Sequence, residues 1–307
     1  MLARTQPHNM PDGAYDVHAK TLVLLQCHFS RKPIPSDLRA DQKLVLKDSL
    51  KLIQAIVDVI SSNGWLKPAL AAMELSQMVV QGLWNKDHVL KQVRIRLVYL
   101  SKSSVDASHD SFLQIPHFTE EIINRCLSYK GEEAIETIFD ILTLEEDVRN
   151  DLLRLPDEKM ADVAVFCNNY PNIEVSFRVE DPENVATGEP VQIVVNLERE
   201  VDEDEMTEEE LADLGTVSAP LYPFPKKEGW WIVVGDTSSN TLHSLKRVNL
   251  LQKQRVILEF LAPEDAGDYN LTLFCMSDSY LGCDQEYAIP LSVAVGEADS
   301  AEGSDEE

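Results

Sequence analysis

The stretch IEVSFRV, residues 173–179, marks the point where the periodicity of the chain changes from helical to strand-like. Apolar and polar side chains alternate here, which is the two-residue period of a half-buried strand. Six further runs of the same kind follow, and no helical pattern separates them. Together they predict an antiparallel β-sandwich of immunoglobulin/fibronectin type. These runs cover residues 191–197, 230–234, 241–248, 256–260, 269–275 and 287–295.

The chain before this point has a helical period. Five apolar residues recur at steps of four, three, four and three, which predicts one buried stripe on a long helix. Gly64 follows this helix and can take the left-handed conformation of a C-cap. A second helix is predicted from Pro68 to Trp84, and the resulting hairpin cannot cover its own apolar face. We therefore expect a partial helical bundle. The stripe residues are Leu46, Leu50, Ile53, Val57 and Ile60.

Short helical patterns follow the hairpin and predict a compact all-helical module. They are separated at Gly131, Thr143 and Pro156, and Thr143 is spaced from Glu146 as in a capping box. We expect a multidomain protein, α then β. Its predicted parts are a disordered N-terminus at 1–16, the partial bundle at 17–117, the helical module at 118–171, the sandwich at 172–295 and an acidic disordered tail at 296–307.

The net charge of −26 arises from 53 acidic and 27 basic residues. Ten acids lie between Glu198 and Asp213, so we expect an acidic loop at 200–218. Runs of like charge repel one another and bury little apolar surface, which favours disorder in this loop and in the tail. A phosphate backbone is repelled by such a chain unless basic residues cluster locally.

The sequence contains none of the motifs that an enzyme of the common classes requires. A nucleotide-driven motor needs a glycine-rich loop ending in Gly-Lys-Ser/Thr, which is absent. The five cysteines form no CxxC pair and leave one unpaired in any disulfide scheme, which favours a reducing compartment. No apolar run is long enough to span a membrane. We predict a soluble, intracellular, non-enzymatic chain that binds no cofactor and no metal.

Two groups of residues are candidates for binding. Lys43, Lys47, Lys51 and Gln54 form a polar stripe on the long helix, away from its apolar stripe. This stripe is either a solvated helix face or a contact for a passing RNA backbone. Trp230 and Trp231 are adjacent in a strand, so their rings must point to opposite faces. One is expected in the core, and the other is either covered by a loop or exposed as an anchor for a partner.

Four irregular stretches carry a resemblance to a known family. They are SSNGWLKPALAAMELSQMVVQGLW at 61–84, CNNYPNIEVSF at 167–177, EGWWIVVGD at 228–236 and SDSYLGCDQEY at 277–287. They resemble the carboxy-terminal Sec63 unit of the spliceosomal RNA helicases of the U5 small nuclear ribonucleoprotein, within the Ski-two-like branch of superfamily two. The likeness covers most of residues 17–295.

The resemblance implies a helical bundle, a small helix-loop-helix domain at 118–171 and an immunoglobulin-like sandwich, in that order. The long helix looks like the ratchet that contacts RNA beside the motor domains, which makes Lys43, Lys47, Lys51 and Gln54 candidate RNA contacts. Spliceosomal proteins and the motor domains missing from this chain are the implied partners, with RNA touched only within the parent assembly and no membrane involved. The implied location is the nucleus.

Residues 93–114 depart from the family, because relatives run almost directly from a stretch like Leu90-Lys91-Gln92 to Pro116-His117-Phe118. This atypical insertion is either a retained intron or a real surface loop. Long loops without secondary structure are uncommon in compact domains.

Three functions follow from these observations. The leading one is a non-catalytic, protein-docking accessory unit of a spliceosomal RNA helicase in pre-mRNA splicing. The second is an RNA-path element of an ATP-dependent helicase that contacts RNA directly. The third is a related helicase of another process, which the motifs at 228–236 and 277–287 disfavour.

Overall fold

The computed structural model describes residues 16–84, 112–129, 131, 135, 138–183, 185–200 and 213–296. Within these ranges the chain is helical up to residue 169 and consists of antiparallel strands after it. The predicted disordered N-terminus, most of the insertion at 93–114, the acidic residues 201–212 and the tail after 296 lie outside the described residues.

Within residues 16–84 the structure has three α-helices. They are α1 (Asp16–Phe29), α2 (Arg39–Ser62) and α3 (Leu66–Gln81). Helix α2 buries Leu46, Leu50, Ile53 and Val57, which confirms four of the five residues of the predicted stripe, and the fifth, Ile60, is half-buried against the same core.

Helix α2 ends in a left-handed cap, as predicted. Gly64 has a φ of 72°. Its N–H donates to Ser61 O (2.9 Å), and the N–H of Trp65 donates to Ile60 O (3.3 Å). These two bonds are those of a Schellman motif, which satisfies helix-terminal carbonyls and turns the chain sharply. Helix α3 therefore starts directly and runs back along α2.

Four shorter helices follow: α4 (Glu120–Leu127), α5 (Ile138–Thr143), α6 (Glu146–Leu153) and α7 (Asp157–Asn169). The Arg125 guanidinium of α4 donates to the carbonyls of Leu152 (2.8 Å) and Leu153 (3.1 Å) at the end of α6. This arginine holds the two helices together and satisfies carbonyls that the helix leaves unpaired.

The predicted capping box at Thr143 and Glu146 is wrong. Thr143 is the last residue of α5, and its hydroxyl donates to the carbonyl of Asp140 (3.1 Å) in its own helix. The N-cap of α6 is Glu145, which makes no side-chain capping bond. The spacing was right, but the hydroxyl was already occupied by the preceding helix.

Seven strands form two antiparallel sheets, in the order β1-β2-β5 and β4-β3-β6-β7. The sheets face each other, because the ring of Phe177 lies 5.8 Å from that of Tyr287 and His243 lies 5.2 Å from Phe260. All seven predicted strands are present. They are β1 (Ile173–Val179), β2 (Pro190–Arg199), β3 (Trp230–Asp236), β4 (Thr241–Val248), β5 (Lys253–Leu261), β6 (Gly267–Ser277) and β7 (Gln285–Val293).

The opposite face of the four-stranded sheet packs against the helical hairpin, where α3 contacts β3 and β6. At Gly235 a Cβ atom would come within 2.7 Å of the Leu66 side chain. The strand therefore needs glycine there to let α3 approach closely. This packing joins the helical part and the sheets through a shared apolar core.

Residues 112–114, the end of the predicted insertion, belong to this core. Phe112 and Ile115 have 0% and 1% of their surface exposed, and Gln114 has 3%. This end of the predicted insertion therefore packs into the interior and does not loop out.

Candidate functional site

The connection between β6 and β7, residues 278–284, is largely buried. Asp278, Ser279 and Tyr280 are at most 1% exposed. We call this segment the junction loop. Loops usually lie at the surface, because their backbone N–H and C=O groups need partners that water supplies. The junction loop instead obtains its partners from side chains of the other parts of the chain.

Helix α3 satisfies three successive carbonyls at the start of the junction loop. Three polar side chains of α3, those of Ser76, Gln77 and Gln81, are buried and bond to carbonyls here. The bonds are Gln77 Nε2 to Ser277 O, Ser76 Oγ to Asp278 O and Gln81 Nε2 to Ser279 O, each 2.8 Å long.

Leu281 connects the loop to the remaining helices. Its N–H donates to Gln114 Oε1, and its carbonyl accepts from Gln114 Nε2 and from the Tyr170 hydroxyl, all at 2.8 Å. Gln114 precedes α4, and Tyr170 ends α7. The single residue Leu281 thus binds both ends of the second helical group.

Tyr280 lies at the centre of an aromatic cluster. Its ring meets Tyr170 edge-on at 5.4 Å and Phe166 at 6.2 Å. Its hydroxyl accepts the N–H of Ser218 (2.8 Å), which brings the segment before β3 onto the same loop. Burial raises the pKa of Tyr280, so the phenol stays neutral at physiological pH.

Buried charges at the start of the loop are paired. The Asp278 carboxylate accepts from Lys226 Nζ (2.7 Å), from Arg247 Nη2 (3.1 Å) and from the Gly229 N–H (2.9 Å). Burial lowers the pKa of Lys226, and the charge of Asp278 opposes that shift. A carboxylate with this many donors fixes the geometry of three segments, since losing both cations would leave an unpaired buried charge.

A second buried pair lies beside it. Arg199 at the end of β2 donates to Glu228, whose Oε1 also accepts the indole N–H of Trp230 (3.0 Å). Burial raises the pKa of Glu228, and the Arg199 guanidinium counteracts this. This group joins the three-stranded sheet to β3.

Trp230 and Trp231 are both buried, with 0% and 2% of their surfaces exposed. Of the two alternatives for the second tryptophan, this burial fits the covered ring and not the exposed anchor. Strand alternation does send the two rings to opposite faces, but both faces of β3 are covered. The Arg247 guanidinium lies 5.6 Å from the Trp231 ring. The exposed tryptophan is Trp65, at 53%, in the turn between α2 and α3.

The four predicted polar residues lie on one face of α2. Lys43, Lys47 and Lys51 are exposed and Gln54 is half-buried. They span about 16 Å along the helix at 1.5 Å per residue. Lys47 Nζ lies 5.8 Å from the centre of the Phe224 ring, a cation–π contact with the loop before β3. The structure thus brings the stripe together and places one aromatic ring beside it.

Catalytic groups are not assembled among the described residues. Burial raises the pKa of all five thiols, to about 11 for Cys126 and Cys167, so none is an activated nucleophile. Within the described ranges no three His, Cys, Asp or Glu side chains converge as metal ligands. None of the helices described is long and apolar enough to cross a membrane.

The junction glutamines were not predicted from the sequence. Gln77 and Gln81 interrupt an apolar helix at a spacing of four residues, which is a recognisable signal for a buried polar contact on one helix face. Gln114 carried no such signal, because it ends the atypical segment 93–114, in which no helical or strand period was read.

Comparison with known proteins identifies the arrangement. The family model for the Sec63 Brl domain matches residues 1–290. The chain belongs to the Sec63 Brl domain family. The U5 small nuclear ribonucleoprotein 200 kDa helicase of Homo sapiens is 46% identical over 300 residues, which is 97% of this chain and 12% of that protein. The resemblance noted in the sequence is thereby confirmed.

Two other relatives carry different names. The DExH-box ATP-dependent RNA helicase DExH12 of Arabidopsis thaliana is 43% identical over 91% of this chain and 11% of that protein. The activating signal cointegrator 1 complex subunit 3-like protein of Dictyostelium discoideum is 38% identical over 94% of this chain and 12% of that protein. The chain thus spans about an eighth of the length of these curated relatives.

Among solved structures, a CARDB domain from Pyrococcus furiosus aligns with 41% of this chain and 90% of its own, at a TM-score of 0.25 and 15% identity. A likeness this weak carries no argument about the Sec63 Brl domain.

Proposed function

We propose that this Sec63 Brl domain is a non-catalytic, protein-docking accessory unit of a spliceosomal RNA helicase, acting in pre-mRNA splicing in the nucleus. The observation that carries the proposal is the use of the buried polar residues. The motifs at 228–236 and 277–287 contain polar residues that could have carried chemistry. These residues instead form hydrogen bonds and ion pairs that join segments of the chain. The Homo sapiens relative, at 46% identity, bears the name of a U5 small nuclear ribonucleoprotein helicase, whereas the cointegrator complex relative is 38% identical. The higher identity supports the splicing assembly over other helicase complexes.

The architecture we infer is a partial helical bundle at 17–117, a helix-loop-helix domain at 118–171 and an immunoglobulin/fibronectin-like sandwich at 172–295. The three-plus-four strand order supports the last of these. The inferred partners are spliceosomal proteins and the motor domains of the parent helicase, which resembles an ATP-dependent enzyme. We assign no cofactor, metal or membrane to the unit.

Affinity capture from nuclear extract tests the docking function. The intact chain, immobilised at one terminus, is expected to recover components of the U5 particle, identified by mass spectrometry. The same chain denatured and immobilised provides the control for non-specific binding to an acidic polypeptide. Recovery of a different helicase complex without splicing proteins would overturn the assignment, and ATP hydrolysis by the purified chain would overturn its non-catalytic character.

Direct contact with RNA is the second candidate function. The exposed Lys43, Lys47 and Lys51, with the Phe224 ring beside them, favour it, because cationic and aromatic groups together bind single strands. Changing the three lysines to glutamate in the parent helicase is then expected to weaken RNA binding at least tenfold. A matched change of three exposed lysines away from α2, Lys32, Lys67 and Lys159, to glutamate is the control. Unaltered affinity in the α2 variant would exclude this role.

A further inference from the structure

Strand β1 lies at the edge of the three-stranded sheet and pairs with β2 on one side. The N–H of Glu180 donates to Gln192 O, and the N–H of Glu200 donates to Asn172 O, both at 2.9 Å. Hydrogen-bonded residues alternate in an antiparallel ladder, so even-numbered residues of β1 bond to β2. Odd-numbered residues direct their N–H and C=O outward.

Ile173 shows this outward direction, because its carbonyl accepts a hydrogen bond from Gln285 Nε2 (2.8 Å) on the side away from β2. The next three odd-numbered residues are Val175, Phe177 and Val179. Among the described residues no group bonds to their outward N–H and C=O. Within the described part of the chain, about three residues of extended backbone are therefore open for pairing, over roughly 14 Å between the first and last of them.

The other three edges are protected by familiar devices. Strand β7 carries Pro290, which has no N–H, and its end is bridged by Ala186. Strand β4 has a register shift and packs against α2. In β5 the outward backbone groups belong mainly to exposed charged residues, which are Lys253, Arg255 and Glu259. In β1 they belong to half-buried apolar residues.

The chemistry of this edge specifies its occupant. A row of alternating N–H and C=O groups is matched by another extended backbone, which adds as a further strand. The inward side chains of that strand would extend the seam between the sheets, where Phe177 meets Tyr287, and must be apolar. Exposed acids at Glu174, Asp181 and Glu183 flank the edge on a chain of net charge −26. The exposed base of β1, Arg178, is already paired with Glu180 (2.8 Å), so the intervening side chains should be basic.

We propose that the outer edge of β1, at Val175, Phe177 and Val179, docks an extended segment of a partner protein in which apolar and basic residues alternate. The inference rests on the proposed docking function and names the kind of segment that is bound.

The test uses the intact chain and a fluorescein-labelled octapeptide of alternating valine and lysine, with binding followed by anisotropy. Val175→Pro removes one outward N–H but no bond to β2, because proline is tolerated where the N–H faces solvent. Ile257→Pro makes the same change at an outward position of β5. We expect Val175→Pro to weaken binding at least tenfold and Ile257→Pro to change it less than twofold. Equal affinities of wild type and Val175→Pro would overturn the proposal and indicate simple charge attraction.

Two peptides methylated on their backbone nitrogens provide a readout that needs no variant of the protein. One carries methyl groups on the valine amides and the other on the lysine amides, so that each blocks one edge of the added strand. Backbone pairing predicts that one peptide loses binding and the other retains it. Equal binding of both would overturn the proposal. Recovery of splicing proteins by Val175→Pro at the wild-type level would leave the docking function intact while placing it elsewhere.

Discussion

The two hydrogen bonds to the Leu281 carbonyl predict a non-additive effect on stability. Gln114→Ala leaves the buried N–H of Leu281 without a partner, at a cost of about 1–3 kcal/mol. The carbonyl keeps the Tyr170 hydroxyl in that variant. Tyr170→Phe removes one of the two carbonyl bonds and should cost about 1 kcal/mol. In the double variant the carbonyl loses both donors, so the free energy of unfolding should fall by about 1–2 kcal/mol more than the sum of the single effects.

Urea unfolding followed by tryptophan fluorescence measures the four free energies of this cycle. The exposed Gln254, changed to alanine, is the matched control and should alter the free energy of unfolding by less than about 0.5 kcal/mol. If the double variant equals the sum of the single variants within about 0.5 kcal/mol, the two side chains do not share the carbonyl and the reasoning is refuted.

Three further predictions concern other parts of the chain. Trp231→Ala should cost about 3–5 kcal/mol of stability and Trp65→Ala less than about 1 kcal/mol, so calorimetry that finds the reverse order would contradict the assigned burial. Burial lowers the pKa of His28, so the folded chain binds fewer protons, and its stability should fall as pH drops below about 6.5. His28→Gln should reduce the dependence of the melting temperature on pH in this range. An unchanged pH dependence would show that His28 is not its cause. Deletion of 93–114 removes the buried Phe112 and Gln114 but puts Leu90 and Gln92 at the same distances before Ile115, so the deleted chain should still melt cooperatively. Adding Gln92→Ala should then lower its melting temperature, and a deletion that unfolds the chain would show that Leu90 and Gln92 do not replace the two core residues.

The strands and the long helix could be predicted because burial imposes a period on the sequence. Leu46 and Leu50 repeat with the helical turn, and Val175 and Phe177 repeat with the pleat. The left-handed cap at Gly64 was equally local. Each of these features depends on residues within a few positions of one another.

The junction loop could not be predicted, because its partners are remote along the chain. Gln77 bonds to a carbonyl 200 residues away, and Gln114 bonds to one 167 residues away. No local period reports such a pairing. The cover of the two tryptophan rings could not be predicted for a related reason. Strand alternation indicates that the rings point to opposite faces but not what covers each face. The capping box failed because Thr143 had a nearer acceptor in its own helix.

The junction loop also has a mechanical consequence. A hinge requires a segment whose rotation breaks few bonds, whereas moving the sheets relative to either group of helices would break several buried hydrogen bonds at once. The described helices and strands should therefore turn together under load. A force applied to the exposed face of α2 would therefore displace the far end of the sheets as well, because the parts between them move as one rigid unit.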